Sequence, residues 1–189
     1  MDDCQMDELV LQAMAKWPHV PDCHGWLGLD ARGQWYLRDA AVQEQGRFPQ
    51  SKGSRLEHAK LVAFIGRNYA CDPAGCWYFQ NGPQRVFVEL EATPWIFRVQ
   101  ADGGVQTHTG LAATVQACLV DESGKAYLVT ERGLGLVHSL DTITLEQHLA
   151  QERWHLHEVL SHELPQRYGY VASPLAQQLT AQAPAPGAR

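Results

Sequence analysis

Three stretches of this chain share one spacing: Leu29-Asp30-x-x-Gly33-x-Trp35-Tyr36-Leu37, Cys71-Asp72-x-x-Gly75-x-Trp77-Tyr78-Phe79 and Val120-Asp121-x-x-Gly124-x-Ala126-Tyr127-Leu128. The second Asp follows the first by 42 residues and the third follows the second by 49. An Asp side chain can bond its own backbone, and a Gly three positions on can take positive φ. Together they reverse the chain, and the aromatic or apolar residues that follow read as the returning strand of a hairpin. Shifting the second copy by 49 also pairs Tyr78 with Tyr127 and Val88 with Val137, so the reused unit is strand, turn, strand, turn, strand. The pattern predicts an α+β protein: antiparallel hairpin and meander sheets in two repeat-derived lobes, with a few packing helices.

The remaining segments fill in this layout. Leu9, Val10, Ala13, Met14 and Trp17 fall at helical spacing ahead of Pro18, which predicts a packing helix within residues 1–19. Residues 43–54 lose apolar periodicity and read as an exposed loop. Leu61, Phe64, Ile65 and Asn68 form a helical stripe over 56–69, with Ser54 as N-cap and Glu57 completing a capping box. Asn81-Gly82 and Asp102-Gly103 mark further hairpins, the second joining strands at 95–100 and 105–109. Residues 142–150 read as a short helix. The expected division is a first hairpin–helix–hairpin lobe over 20–100, a second hairpin lobe over 101–175, and a partly disordered tail over 176–189.

Composition excludes several classes. The 189 residues carry 21 acidic and 15 basic side chains for a net charge of −6, and no basic cluster suited to phosphates. Nucleic acid and anionic membrane are therefore not expected partners. No run approaches the roughly 18 apolar residues of a membrane span. The first residues, Met1-Asp2-Asp3, are acidic where a secretory leader is basic, so a cytoplasmic location is expected. Five dispersed cysteines argue for reduced thiols over a disulfide framework.

Few residues are spaced for chemistry. His155, His157, Glu158 and His162 make the densest metal-capable group. A helix would put His155, Glu158 and His162 on one face, and a strand would do so for His155 and His157; either could begin a site for a divalent metal such as zinc. His157-Glu158-x-x-x-His162 is one residue too long for the metalloprotease helix. Read without metal, the segment exposes its histidines and packs Trp154, Leu156, Val159 and Leu160 inward. Cys71 and Cys76 supply half of a zinc hairpin, Cys23-His24 point opposite ways on an extended chain, and Gly133-Leu134-Gly135 lacks a third glycine; packing and turn formation account for each. The polar rim Arg67, Asn68, Tyr69, Gln80, Asn81, Gln84 and Arg85, on a rigid turn beside a helix, is the expected contact surface for a small molecule or protein partner.

Gly25 to Tyr36, Leu61 to Tyr69, Trp77-Tyr78-Phe79, Gln84-Arg85-Val86-Phe87-Val88-Glu89 and Thr93-Pro94-Trp95 together resemble a group of small proteobacterial proteins of unknown function, over residues 23–95. That group is built from repeated hairpin motifs and linked with signalling, and it supplies no catalytic residue to transfer. The expectation is a non-catalytic, ligand- or partner-binding regulatory protein. The rival is a metal-dependent protein centred on the histidines, and the third reading is a structural or oligomerisation module, with a homodimer as its form.

Overall fold

Hairpin turns organise both sheets of this protein, whose residues 6–182 are described by a computed structural model. At each of the three Asp turns the first residue's N–H bonds the carbonyl four positions on, and the Gly N–H returns to the Asp carbonyl at 3.0 Å. One Asp oxygen takes two backbone N–H groups each time: from Arg32 and Gln34 on Asp30, from Ala74 and Cys76 on Asp72, and from Ser123 and Lys125 on Asp121. Gly33, Gly75 and Gly124 sit at φ of 76°, 85° and 81°. Turns at Gln100–Gly104 and Thr107–Leu111 repeat this backbone bonding without an Asp at the first position.

The first sheet contains β1 (Cys23–Leu29), β2 (Trp35–Leu37), β3 (Ser54–Arg55), β4 (Tyr69–Cys71), β5 (Trp77–Asn81) and β6 (Gln84–Leu90), in the order β3-β2-β1-β6-β5-β4. The second contains β7 (Trp95–Val99), β8 (Val105–Thr107), β9 (Ala112–Ala113), β10 (Val115–Val120), β11 (Ala126–Thr130), β12 (Gly133–Val137) and β13 (Leu156–Glu158), in the order β13-β10-β11-β12-β7-β8-β9. Apart from the added edge strand β13, the two sheets have the same strand order. A shift of 70 carries Trp35–Leu37 onto Val105–Thr107, and a shift of 49 carries Trp77–Asn81 onto Ala126–Thr130.

The sheets are mixed, not purely antiparallel as expected from the hairpins. Each joins two antiparallel meanders through a central parallel pair, β1 with β6 (Leu27 opposite Val88, Leu29 opposite Leu90) and β7 with β12 (Ile96 opposite Leu136). β13 adds a further parallel pair on β10. Strand β7, placed with the first half by its position in the chain, hydrogen bonds in the second sheet. The crossover is fixed by buried Thr93, whose hydroxyl donates to the Trp95 carbonyl at 2.7 Å and accepts the Leu136 N–H at 2.8 Å.

Helices α1 (Glu8–Lys16), α2 (Ala40–Gln45), α3 (Ala59–Arg67), α4 (Thr142–Ala150), α5 (Leu164–Tyr168) and α6 (Pro174–Gln182) pack around the sheets. Helix α3 begins later than the sequence predicts. Ser54 and Arg55 are drawn into β3 against β2, so His58 takes the cap, its ring nitrogen accepting the Leu61 N–H. The expected loop at 43–54 is partly helical: Asp39 caps α2 by accepting the Val42 N–H at 2.9 Å, and Phe48 is buried over Gly28. The expected tail is helical through 182, because Glu89 and Ser173 cap the start of α6; residues 183–189 lie outside the described residues.

One core runs through both sheets. At their junction Trp35, Tyr69, Trp77, Trp95 and His108 form an aromatic cluster with ring centroids 4.7–5.9 Å apart. Tyr69 donates its hydroxyl to the Pro94 carbonyl, and Gly33 admits His108 so closely that a β-carbon there would lie 2.6 Å from the histidine's own.

Candidate functional site

Four of the seven rim residues singled out on sequence, Arg67, Asn68, Gln84 and Arg85, bond the chain's own N-terminal segment. Arg67 grips the Asp7 carboxylate through two nitrogens at 3.0 and 3.1 Å, and buried Asn68 accepts the Asp7 N–H at 2.9 Å. These bonds hold the Asp7 carboxyl below the usual carboxylate range. Arg85 forms the same fork on Asp22 at 2.9 and 2.7 Å while lying over the Tyr78 and Phe87 rings, and Gln84 donates to the Pro21 carbonyl. Gln80 and Tyr69 are buried, the first bonded to Gly82 and the second in the aromatic core. Asn81, exposed, is the rim residue that lines a concavity.

That concavity is an apolar groove of about 260 Å³ across β2, β1, β6 and β5, beneath α3. Leu27, Ile65 and Phe79 form its floor, Leu56 and Val86 its walls, and Cys23 and Asn81 its polar atoms. Its edge is unusually apolar for surface: Trp26, Leu37 and Leu61 are 40%, 47% and 40% exposed. Helix α3 contributes Leu61 and Ile65 to its lining. A register shift between Cys23 and Leu27, at Gly25 with φ of 80°, brings the consecutive Trp26 and Leu27 to one groove where strict alternation would separate them. Sequence reasoning missed these residues; the available signal was a glycine inside a strand.

The histidine segment folds as the short edge strand β13, not a helix, followed by a 3-10 turn at Ser161–Glu163. His155, His157, Glu158 and His162 are exposed, and among the described residues no three His, Cys, Asp or Glu side chains are grouped to hold a metal ion. Val159 packs inward and Trp154 lies against His148, but Leu156, on edge strand β13, and Leu160, beyond its end, are exposed.

Residues 6–175 match the family described as Protein of unknown function (DUF2946). The chain belongs to this family, DUF2944. No curated protein matches it. Among solved structures, this DUF2944 protein is similar to a DUF1285 family protein from Silicibacter pomeroyi DSS-3, with 13% identity, 76% of this chain and 85% of that chain covered and a TM-score of 0.47. It is also similar to a DUF1285 family protein from Shewanella baltica OS155, with 16% identity, 65% and 91% covered and a TM-score of 0.45.

In the DUF2944 chain the four described cysteines are free, and burial pushes the thiols of Cys71, Cys76 and Cys118 up to about 11. Such thiols stay protonated at neutral pH and are poor nucleophiles. Burial likewise raises Cys23 and lowers His24, whose ring stacks on Phe87 at 4.5 Å. No described helix is long and apolar enough to cross a membrane.

Proposed function

We propose that this protein is a non-catalytic cytoplasmic binding protein that takes a small apolar molecule in the groove between α3 and the first sheet. The observation that carries the reading is a concavity of about 260 Å³ whose floor and edge are built from Leu, Ile, Phe, Val and Trp side chains with no charged group among them. Large apolar side chains left exposed around a concavity mark ligand sites, and a cavity of roughly 150 Å³ already accepts benzene. The ligand is therefore one ring or a short alkyl chain. The common strand order of the two sheets supports a scaffold copied from one hairpin unit, with the groove opened in its first copy.

1-Heptanol is a suitable probe. With eight non-hydrogen atoms and ordinary efficiency per atom, its expected Kd is about 0.1–1 mM. Titration followed by tryptophan fluorescence should give a saturable blue shift that is lost in Trp26→Phe and in Leu61→Glu, both positions being surface-exposed. A non-saturating response, or one unchanged by Leu61→Glu, overturns the proposal.

A further inference from the structure

On the opposite face of the first sheet, α2 and α6 close over a second cavity, of about 170 Å³. Gly28 and Glu89, paired in register, point to this side, alternating with the core residues Leu27, Leu29, Val88 and Leu90. Two opposite charges line it in nearly complete burial: Arg38, 1% exposed, and Glu89, 3% exposed. They feel one another's field yet form no direct ion pair.

Arg38 donates to the carbonyls of Ser51 at 2.9 Å, Gly25 at 3.0 Å and Gly46 at 2.6 Å, which uses three of its five N–H groups. Glu89 accepts the Ser173 hydroxyl and the Leu175 N–H, leaving lone pairs on both oxygens. Desolvation raises its pKa against the pull of these bonds and of Arg38 and Arg47. Buried opposite charges are normally stabilised by touching, since desolvation outweighs attraction at a distance. Here they face a common space.

We propose that this space binds a small zwitterion, a free α-amino acid with a short branched apolar side chain. Its carboxylate meets Arg38 and the cavity-lining Arg47, its ammonium meets Glu89, and its side chain rests on Phe48 and Leu179. A simple anion would be repelled by Glu89 and a simple cation by the two arginines; a molecule carrying both charges satisfies all three. The volume, slightly above that of a cavity of about 150 Å³ that holds benzene, suits a molecule of valine's size. This site is separate from the apolar groove and does not depend on it.

Calorimetric titration of the full chain with L-valine tests the proposal, with valinamide, lacking the carboxylate, and isovalerate, lacking the ammonium, as controls. L-Valine should bind saturably and both controls at least tenfold more weakly. Arg38 and Glu89 also hold the fold, so the variants are placed at the mouth. Leu179→Trp, at a position 54% exposed, should weaken L-valine at least tenfold and leave the melting temperature unchanged, and Arg47→Ala should weaken it at least fivefold. Absence of saturable L-valine binding, equal binding of the three compounds, or indifference to Leu179→Trp overturns it.

Discussion

Acid should destabilise this protein through His108. Its Nδ1 accepts the Ile96 N–H at 3.3 Å, so in the neutral ring Nε2 carries the proton, buried among aromatic rings without a partner. Protonating the ring would turn Nδ1 into a second donor facing an N–H, with nothing nearby to solvate the charge. Burial therefore lowers its pKa from 6.5 to about 3, only partly opposed by Asp30. The unfolded chain takes up a proton near pH 6.5 and the folded chain does not until about pH 3. Stability is thus full above pH 6.5, falls as pH drops through that window, and levels below pH 3. At about 1.36 kcal/mol per pH unit the loss between pH 7 and pH 4 is about 3 kcal/mol. Urea unfolding of the wild type and of His108→Phe across that range isolates this contribution, because the carboxylates are common to both. The variant should lose about 1 kcal/mol at pH 7 with the Ile96 bond and then show an acid slope shallower by about 3 kcal/mol over the range. Parallel stability curves would refute the argument.

The same turn in two surroundings separates conformational strain from crowding. Gly124→Ala, at φ of 81° with no atom within 4 Å of the added carbon, should cost about 1–2 kcal/mol by thermal denaturation. Gly75→Ala, at nearly the same φ but with the Gly169 carbonyl oxygen 2.6 Å away, should cost at least about 1 kcal/mol more. Asp121→Ala removes two backbone bonds and the acceptor of the buried Tyr127 hydroxyl at 2.8 Å, and should cost about 2–4 kcal/mol in chemical unfolding. Arg85→Ala should change global stability by no more than about 1 kcal/mol. Because it frees Asp22, it should also speed limited proteolysis between α1 and β1.

Local chemistry was legible in the chain; long-range pairing was not. The Asp-x-x-Gly turns, the helices at 8–16 and 142–150, and the hairpins flanking Asn81-Gly82 and Asp102-Gly103 all rest on contacts within a few residues, which periodicity and turn chemistry encode. The parallel pairs β1–β6 and β7–β12 join strands that lie far apart in the chain, and nothing in either partner names the other. Helix α2 escaped notice because it is only six residues long and buries none of its side chains; Asp39 starts it and the Arg38 guanidinium organises the loop beyond. The groove was hidden for a related reason: its apolar residues are individually ordinary, and they come together from four strands and a helix that are distant in sequence.

The rim of Arg67, Asn68 and Arg85 shows how one set of residue types serves two purposes. Arginines and amides beside a rigid turn suit recognition, but the same forked donors and paired amide groups suit the ends of a chain that must be tied down. Asp7 and Asp22, spaced along the N-terminal segment, engage both arginines in bidentate geometry. These bonds fasten the N-terminal segment at Asp7 and Asp22, and Ala13 of α1 lies beside Gly82 at the β5–β6 turn. A partner seeking those arginines would have to displace two carboxylates already in place, whereas the groove of the proposed apolar ligand is lined by no charged side chain. On the proposed reading, the charged rim ties the N-terminal segment down, and the uncharged side chains of the groove are the ones that take the ligand.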